Sequence, residues 1–587
     1  MVTTDHQDCA VIAPAGTPPG LLEEFWRYDR ALLAADRATL DALFPPGPHT
    51  LSADGSGPLS GHAALGPLRA AHGRVPTRRV VEVQVRPLGA DAALVTARTR
   101  DGEADGSQTQ VWQRGTAGRW LVAWQVTLPA APSCATAPHS PTTAPHSPTA
   151  TPHSPAETPP SSTETPPSAG KASASPSTTP HSSGEAAADS APFDRTVWRA
   201  VGDPLVAARA PGPLDGVGIA VKDLFAVAGQ PIGAGVAAWL AEQRPQTETA
   251  PALAELLDAG AHIVGIARTD EFAYSLTGAN AHYGTPPNPA APDRVSGGST
   301  GGPAAAVALG QAAVGLGTDT AGSIRIPASY QGLVGLRSTH GSIDRDGVLP
   351  LARSFDAIGW LTEDVAASTA IARVLLGGPD GTGRPADRTL RLPTVEAMAA
   401  PEVVEAFSAV VERAAAAGLL PPVHGVDLPH AQLERWVEAF RTVQAWEAWQ
   451  AHGCWLTAHP DALGPDVAGR FAQASRVSED EAARALAVTA EAAGRLTELL
   501  SGAVLALPTA PGPAPSRAAT GQQFETARAA TLRMTCLAGL AGAPAVSLPL
   551  LRSADGLPVG LCLVGAPGSD LDLLTLAAGL ETSPRPA

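Results

Sequence analysis

The chain has 587 residues, a formal net charge of −16 and only 16% charged residues, and it contains no apolar run of the ~20 residues that a membrane helix needs. This length predicts two or more domains, and the acidic charge argues against nucleic acid as a partner. The N-terminus has no secretory pattern and the five cysteines are scattered, so we expect a cytoplasmic protein without disulfides, membrane contact or a zinc site.

Residues 1–130 predict a small α+β domain. Apolar periodicity indicates an amphipathic helix from Leu21 to Ala35 and a second helix at about 61–71. Strands follow, because apolar and polar residues alternate at 81–85 and again at 120–126. A helix followed by antiparallel strands that each bury one face is typical of an α+β fold.

The segments FWRYDRALLAADRATLDALF and GRWLVAWQVTLP of this domain resemble the NTF2-like, SnoaL-type cone folds, and most closely the AtzH-like domains linked to urea-derivative and triazine degradation. The resemblance implies a pocket that Phe25, Trp26 and Tyr28 could line, although we favour plain core packing for the first two. It also implies a basic residue after the pair His49-Thr50, where this chain has Leu51. Docking or homodimer formation is therefore at least as strong an expectation for this domain as catalysis.

Residues 131–192 predict a disordered linker. The repeat PHSPTTA-PHSPTAT-PHSP is followed by Pro, Ser, Thr and Ala with almost no large apolar residue, and such a segment cannot bury enough surface to offset its ordering entropy. Its regularly spaced histidines lack the supporting residues that hold metal ligands in place, so we do not expect a metal site here.

Residues 193–587 alternate short apolar strands with Ala/Leu-rich helices, as in PALAELLDAG followed by HIVGIA, and this pattern predicts an α/β domain. The whole chain has only two lysines, Lys171 in the linker and Lys222 at the end of the apolar strand GIAV. Burial at a strand end lowers the pKa of an amine and favours the neutral form, which can act as a base. An ion pair with Asp223 is the alternative.

Two glycine-rich turns follow, at 296–302 (SGGSTGG) and 317–325 (GTDTAGSIR). The first contains Gly297-Gly-Ser299-Thr-Gly301, but a nucleophile elbow follows a buried strand and here NPAAPDRV precedes it. The second offers consecutive backbone N–H groups that could stabilise an oxyanion. A phosphate loop would end in GK[ST] and would not carry Asp319.

Together with Lys222, the run SGGSTGGPAAAVALGQAAVGLGTDTAGSIRIPASYQGLVGLRS resembles the amidase signature family, nearest to short amidases of the indole-3-acetamide hydrolase type. The resemblance implies a mixed sheet covered by helices, with Ser323 as the nucleophile, Ser299 as a bridging serine held through a cis peptide, and Lys222 as the base. It implies an oxyanion hole from the backbone N–H groups of the nucleophile and the three residues before it, Thr320, Ala321 and Gly322.

The family pattern also implies that Asp319, Arg325 and Thr300 orient the loop rather than react. Thr300 stands where a second serine is usual and Ala321 where glycine is common, so Ala321 constrains the loop more than glycine would. This chemistry requires no metal, nucleotide or redox cofactor, and its only required partner is a small-molecule amide. A glutaminase subunit of an amidotransferase and a catalytically inactive binding protein remain the alternatives, and the substrate stays open.

Overall fold

The computed structural model describes the domain that follows the linker almost completely and the N-terminal domain in part. The predicted linker, the predicted helix at 61–71 and the pair His49-Thr50 lie outside the described residues. The described residues are 10–12, 17–33, 39, 42–43, 51–54, 57–60, 79–87, 91–101, 104–114, 119–128, 193–377 and 386–582.

The N-terminal part combines one amphipathic helix with a sheet. Within the described residues this sheet has seven strands in the order β1-β4-β5-β6-β7-β2-β3, and its pairs are antiparallel except β1–β4 and β2–β7. The elements are α1 (Leu21–Leu33), β1 (Ala10–Ile12), β2 (Leu51–Asp54), β3 (Gly57–Ser60), β4 (Arg79–Pro87), β5 (Ala92–Asp101), β6 (Ala104–Arg114) and β7 (Trp120–Leu128).

The α+β prediction for this domain is confirmed, and its core explains why. Helix α1 places Leu21, Phe25 and Tyr28 on one face, and all three are buried in a cluster with Val83 and Trp112 of the sheet. Phe25 and Tyr28 are therefore core residues, and the Tyr28 hydroxyl accepts a hydrogen bond from Gln108 Nε2 at 2.9 Å.

The second domain is built on a mixed sheet, as the sequence predicts. Within the described residues it has eleven strands in the order β15-β14-β16-β18-β17-β12-β13-β11-β9-β10-β8. The strands are β8 (Trp198–Val206), β9 (Gly218–Lys222), β10 (His262–Ala267), β11 (Val314–Asp319), β12 (Val334–Arg337), β13 (Ala357–Thr362), β14 (Arg388–Arg391), β15 (Val423–Gly425), β16 (Ala503–Pro508), β17 (Ala545–Arg552) and β18 (Pro558–Val564).

Every residue of the central strands β9, β11, β12 and β13 is buried. This burial is expected of a sheet that helices cover on both faces. No helix in the described ranges combines the length and the apolar character needed to cross a bilayer. The helices are α2 (Ala237–Glu242), α3 (Pro251–Asp258), α4 (Gly301–Ala308), α5 (Arg325–Gln331), α6 (Val365–Leu376), α7 (Pro393–Glu396), α8 (Pro401–Ala416), α9 (His430–Ala458), α10 (Pro465–Ala474), α11 (Glu479–Leu500), α12 (Gly521–Leu540) and α13 (Asp570–Glu581).

The direction of two neighbouring strands positions the site. Strand β9 ends at Lys222 and β11 ends at Asp319, and the two strands pair in parallel with Val221 opposite Leu316. Parallel strands present their carboxyl ends at the same edge of a sheet. The residues that follow both strands therefore meet at this edge, which is where ligands commonly bind in α/β sheets.

Candidate active site

Lys222 is fully buried at the carboxyl edge, and its amine is surrounded by hydroxyl groups. Its Nζ lies 2.9 Å from Ser299 Oγ, 3.0 Å from Thr300 Oγ1 and 3.0 Å from Thr318 Oγ1. The alternative for this lysine, an ion pair with Asp223, does not form. Asp223 instead accepts hydrogen bonds from Arg199 Nε at 2.8 Å and from the Gly233 N–H at 2.9 Å.

Burial determines the charge state of this amine. Removal from water disfavours the ammonium and lowers the pKa of Lys222 from 10.5 to about 7, although the carboxylates of Asp270, Asp356 and Asp319 oppose the change. The nearest polar contacts are neutral hydroxyls, which stabilise an ammonium less than a paired carboxylate would. A substantial fraction of Lys222 is therefore a neutral amine near pH 7.

Ser299 lies in the first glycine-rich turn, where the backbone takes an uncommon form. The peptide bond between Gly298 and Ser299 is cis. A Cβ at Gly298 would collide with the carboxylate of Asp270, so only glycine fits there. The Ser299 carbonyl accepts hydrogen bonds from Thr269 Oγ1 at 2.9 Å and from the Asp270 N–H at 3.3 Å. These contacts hold the backbone of Ser299, whose hydroxyl lies 2.9 Å from Lys222 Nζ.

Ser323 lies in the second turn, which connects β11 to α5. The two turns are joined because the Thr300 N–H donates to the Ser323 carbonyl at 3.3 Å. Ser323 is 3% exposed, and its hydroxyl has no hydrogen-bond partner within the described residues. The structure thus brings Lys222, Ser299 and Ser323 into one neighbourhood and leaves the Ser323 hydroxyl accessible to a ligand.

Asp319 holds the second turn in shape. Its carboxylate accepts hydrogen bonds from Arg325 Nε at 3.0 Å and Nη2 at 2.8 Å, and Nη1 of Arg337 lies 3.3 Å away. It also accepts the N–H groups of Gly322 at 2.9 Å and Ile324 at 3.2 Å. Burial would raise the pKa of Asp319, but the two guanidinium groups outweigh it and hold that pKa below its usual value. Asp319 therefore stays ionised and ties the turn to two arginines.

The backbone donors of this turn differ in one respect from the sequence expectation. The family pattern assigns the N–H of Gly322 to the oxyanion hole, but this N–H points at the Asp319 carboxylate and is already used. The N–H groups of Thr320, Ala321 and Ser323 make no hydrogen bond within the described residues. Ala321 does not have a positive φ. Alanine therefore replaces the usual glycine there without the strain of a left-handed backbone.

Distant residues that sequence reasoning missed brace the turn from two sides. Asp356 accepts a hydrogen bond from Thr320 Oγ1 at 2.5 Å, and it also accepts the N–H groups of Leu351 and Ala352. On the other side, Thr535 Oγ1 of α12 donates to the Ala321 carbonyl at 2.6 Å. Thr535 lies in the run LRMTCLAGLAGAPAVSLPL, which resembles the family, but that resemblance assigns it no role. The bracing depends on contacts across 36 and 214 positions of the chain, which no local pattern reveals.

A small cleft opens beside Ser323. We expect the stretch Tyr274–Tyr283 to shape the acyl pocket, and its first three residues do line this cleft. Two polar residues of the lining, Gln444 of α9 and Arg528 of α12, have no signal in the sequence. The described residues that line the cleft are Ala273, Tyr274, Ser275, Leu276, Thr320, Ala321, Ser323, Leu351, Gln444 and Arg528.

Comparison with protein-family models gives two matches. The model named Amidase matches residues 199–418 and 456–574, and the model named AtzH-like matches residues 19–131. The amidase match covers more than half of the chain and includes both glycine-rich turns and Lys222. The AtzH-like match covers the N-terminal α+β domain.

Individual relatives agree with these matches. The chain is 34% identical to Amidase 1 of Arabidopsis thaliana over 64% of this chain and 95% of the relative. It is 33% identical to a glutamyl-tRNA(Gln) amidotransferase subunit of Natronomonas pharaonis over 63% of this chain and 96% of the relative. A crystal structure of an amidase superimposes with a TM-score of 0.58 at 34% identity, over 63% of this chain and 85% of that one.

The narrower likeness to indole-3-acetamide hydrolases stays a prediction, since none of these matches bears on it. The family itself follows from a model that spans most of the second domain and from relatives matched over nearly their whole length. The chain is an amidohydrolase of the amidase family that carries an AtzH-like domain ahead of its amidase domain.

Proposed function

We propose that this enzyme hydrolyses the C–N bond of a small-molecule carboxamide through Ser323, Ser299 and Lys222. Ser323 attacks the amide carbonyl while its proton passes through Ser299 to the neutral amine of Lys222. The same relay returns the proton to the departing ammonia or amine, which leaves an ester between the acyl group and Ser323. Water then attacks this acyl-enzyme, with its proton taken by the relay, and releases the acid.

The observation that carries the proposal is the hydrogen bonding around Lys222. Thr300 Oγ1 lies 3.3 Å from the Thr318 carbonyl and donates its proton there, so toward Lys222 it can only accept. The hydroxyl of Ser299 has no other partner within the described residues. The Thr318 hydroxyl likewise has no other partner within the described residues, so a neutral amine can accept a proton from either Ser299 or Thr318. Ser299 is the one placed to pass on a proton from Ser323, because Thr300, which follows Ser299, donates its N–H to the Ser323 carbonyl at 3.3 Å.

Charge that develops on the carbonyl oxygen needs donors that are already oriented. The unused N–H groups of Thr320, Ala321 and Ser323 belong to a turn that Asp319 and Asp356 hold in place. Removing one such donor typically costs about 100- to 1,000-fold in kcat. We assign the oxyanion hole to these three N–H groups, and the Gly322 N–H supports the turn instead.

The test is a pair of variants assayed for ammonia release across aliphatic, aromatic and ureido amides. Lys222→Ala and Ser323→Ala each abolish nearly all hydrolysis while thermal unfolding stays close to that of the wild type. Ser338→Ala is the matched control, because Ser338 is also buried but donates only to the Ile358 carbonyl at 2.7 Å. Wild-type turnover in either of the first two variants would overturn the assignment. A serine-directed fluorophosphonate labels the wild type and not Ser323→Ala, and absence of labelling in the wild type would favour an inactive binding protein.

A second candidate is a glutaminase subunit of an amidotransferase, which the likeness to the amidotransferase chain of Natronomonas pharaonis favours. The chemistry would be the same, but ammonia would come from glutamine and pass to a partner. Hydrolysis of glutamine in preference to every small amide, together with copurification of a partner protein, would support this candidate over the first.

A further inference from the structure

The guanidinium of Arg528 is a loosely paired cation in the wall of the cleft. Arg528 lies on α12 and lines the same cleft as Ser323 and the turn that follows β11. Its side chain is 14% exposed, and its Nε is buried with no hydrogen-bond partner within the described residues. Its nearest carboxylate is that of Glu525, at 3.8 Å. This separation is too long for a hydrogen bond.

Positive charge exceeds negative charge on this side of the cleft. The carboxylate near Arg528 is shared, because Glu525 Oε1 accepts a hydrogen bond from Arg470 Nη2 at 2.9 Å while its Oε2 lies 3.8 Å from Arg528 Nη1. One exposed carboxylate therefore serves two guanidinium groups. Burial and the neighbouring Arg470 lower the pKa of Arg528 to about 10, with Arg441 acting in the same direction. The guanidinium remains charged at neutral pH, and the shared Glu525 carboxylate balances its charge only in part.

Two neutral polar side chains that line the cleft also have hydrogen-bonding groups without a partner within the described residues. Tyr274 and Gln444 are 6% and 4% exposed, and both line the cleft. Neither the Tyr274 hydroxyl nor the Gln444 amide makes a hydrogen bond within the described residues, and no carboxylate of those residues lines the cleft. A guanidinium fork combined with hydroxyl and amide donors is the donor set that a carboxylate accepts best.

We propose that Arg528 binds a carboxylate of the substrate, so that the amide cleaved at Ser323 carries a free carboxylate in the same molecule. This inference rests on the proposed function. A neutral amide would fill the cleft and leave a largely buried cation with only the shared Glu525 carboxylate at 3.8 Å, which is costly. An anionic amide supplies a carboxylate that pairs with Arg528. This ion pair also orients the amide carbonyl of the substrate relative to Ser323.

The two groups are confined to one cleft. Ser323 and Arg528 both belong to its described lining of ten residues. The carboxylate and the scissile carbonyl therefore both fit within this cleft, which favours a small substrate that carries the two groups. Both the monoamide of a short dicarboxylic acid and a ureido compound with a carboxylate on nitrogen satisfy this chemistry.

The experiment compares substrates that differ only in charge. Succinamate carries a carboxylate where succinamide carries a carboxamide, and a charge-assisted hydrogen bond predicts a kcat/KM about 10- to 100-fold higher for succinamate. Arg528→Gln removes that preference by slowing succinamate about 100-fold and succinamide less than about 3-fold. Arg528→Lys keeps the charge without the fork and retains part of the preference. N-carboxyurea, assayed in parallel, tests a ureido substrate with its carboxylate on nitrogen, whereas succinamate tests the monoamide of a dicarboxylic acid.

The control is Arg495→Gln, which removes one positive charge from an exposed ion pair with Glu498 and leaves the preference unchanged. Equal losses for both substrates in Arg528→Gln, or a wild type that prefers succinamide, would overturn the proposal. Binding of succinate, measured by calorimetry, is independent of turnover. Succinate binds the wild type and binds Arg528→Gln at least ~10-fold more weakly. Equal succinate affinity in the wild type and Arg528→Gln would overturn the carboxylate site. Absence of fluorophosphonate labelling in the wild type would instead overturn the serine chemistry.

Discussion

The dependence of kcat/KM on pH tests the charge state of Lys222 directly. The pKa of the buried amine is lowered from 10.5 to about 7, and the neutral form is the proposed base. Activity therefore rises with pH as the ammonium loses its proton, by about tenfold per pH unit below 7, and becomes constant above about pH 8. The difference between 10.5 and about 7 corresponds to roughly 5 kcal/mol of preference for the neutral amine.

A lysine with an ordinary pKa would behave differently. Only about 0.03% of it would be neutral at pH 7, and kcat/KM would still climb tenfold per unit between pH 8 and 10. The assay is initial-rate ammonia release in a constant-ionic-strength buffer series from pH 5 to 10, with substrate well below KM so that the free enzyme is titrated. A profile that continues to rise above pH 8 would refute the assigned charge state.

Another buried carboxyl titrates in the same range and needs a control. Burial raises the pKa of Glu447 to about 7, while Ser354 stabilises its carboxylate through its N–H and hydroxyl. Glu447→Gln keeps the midpoint of the activity profile if Lys222 sets it. Lys222→Arg places a cation that cannot lose its proton at the same position, and it removes the rising limb together with the activity.

Three further predictions concern the two turns. Ser299→Ala lowers kcat by about 100- to 10,000-fold with little change in KM, because the relay to Lys222 is interrupted but the cleft is not; an unchanged kcat would exclude the relay. Gly322→Ala lowers both kcat and the melting temperature, because Gly322 has φ +114° and an added Cβ would lie 3.0 Å from Thr535; the strain costs about 1–3 kcal/mol, and full activity would contradict the strain argument. Asp319→Asn lowers the free energy of unfolding by about 3–5 kcal/mol, since it leaves two buried guanidinium groups unpaired, and denaturant unfolding measures this loss.

Much of the site is readable from local patterns. A lysine that ends an apolar strand, in a chain with only two lysines, indicates a task that arginine cannot perform, and Lys222 is indeed fully buried beside hydroxyls. The glycines around Ser299 predict a turn that tolerates unusual backbone geometry. Both signals lie within a few residues of the side chain concerned, and short-range signals are the ones that a single sequence carries reliably.

The residues that the sequence does not reveal act across long separations. Thr318 contacts Lys222 from the neighbouring strand, and its hydroxyl resembles many others on buried strands. Arg528 and Gln444 reach the cleft from helices that follow the turn by more than a hundred residues. The sequence likewise does not reveal that the Gly322 N–H, predicted for the oxyanion hole, donates to the Asp319 carboxylate at 2.9 Å. Side-chain orientation of this kind is determined by tertiary packing.

The long-range bracing of the second turn connects reactivity to completion of the fold. Arg325 Nη1 donates to the Thr535 carbonyl at 3.0 Å, and Thr535 in turn binds the Ala321 carbonyl. A nascent chain that already contains Lys222, Ser299 and Ser323 but ends before α12 lacks the Thr535 contacts to this turn. If the proposed chemistry holds, covalent capture of Ser323 requires a chain that extends through α12, and it separates such chains from those that end before this helix.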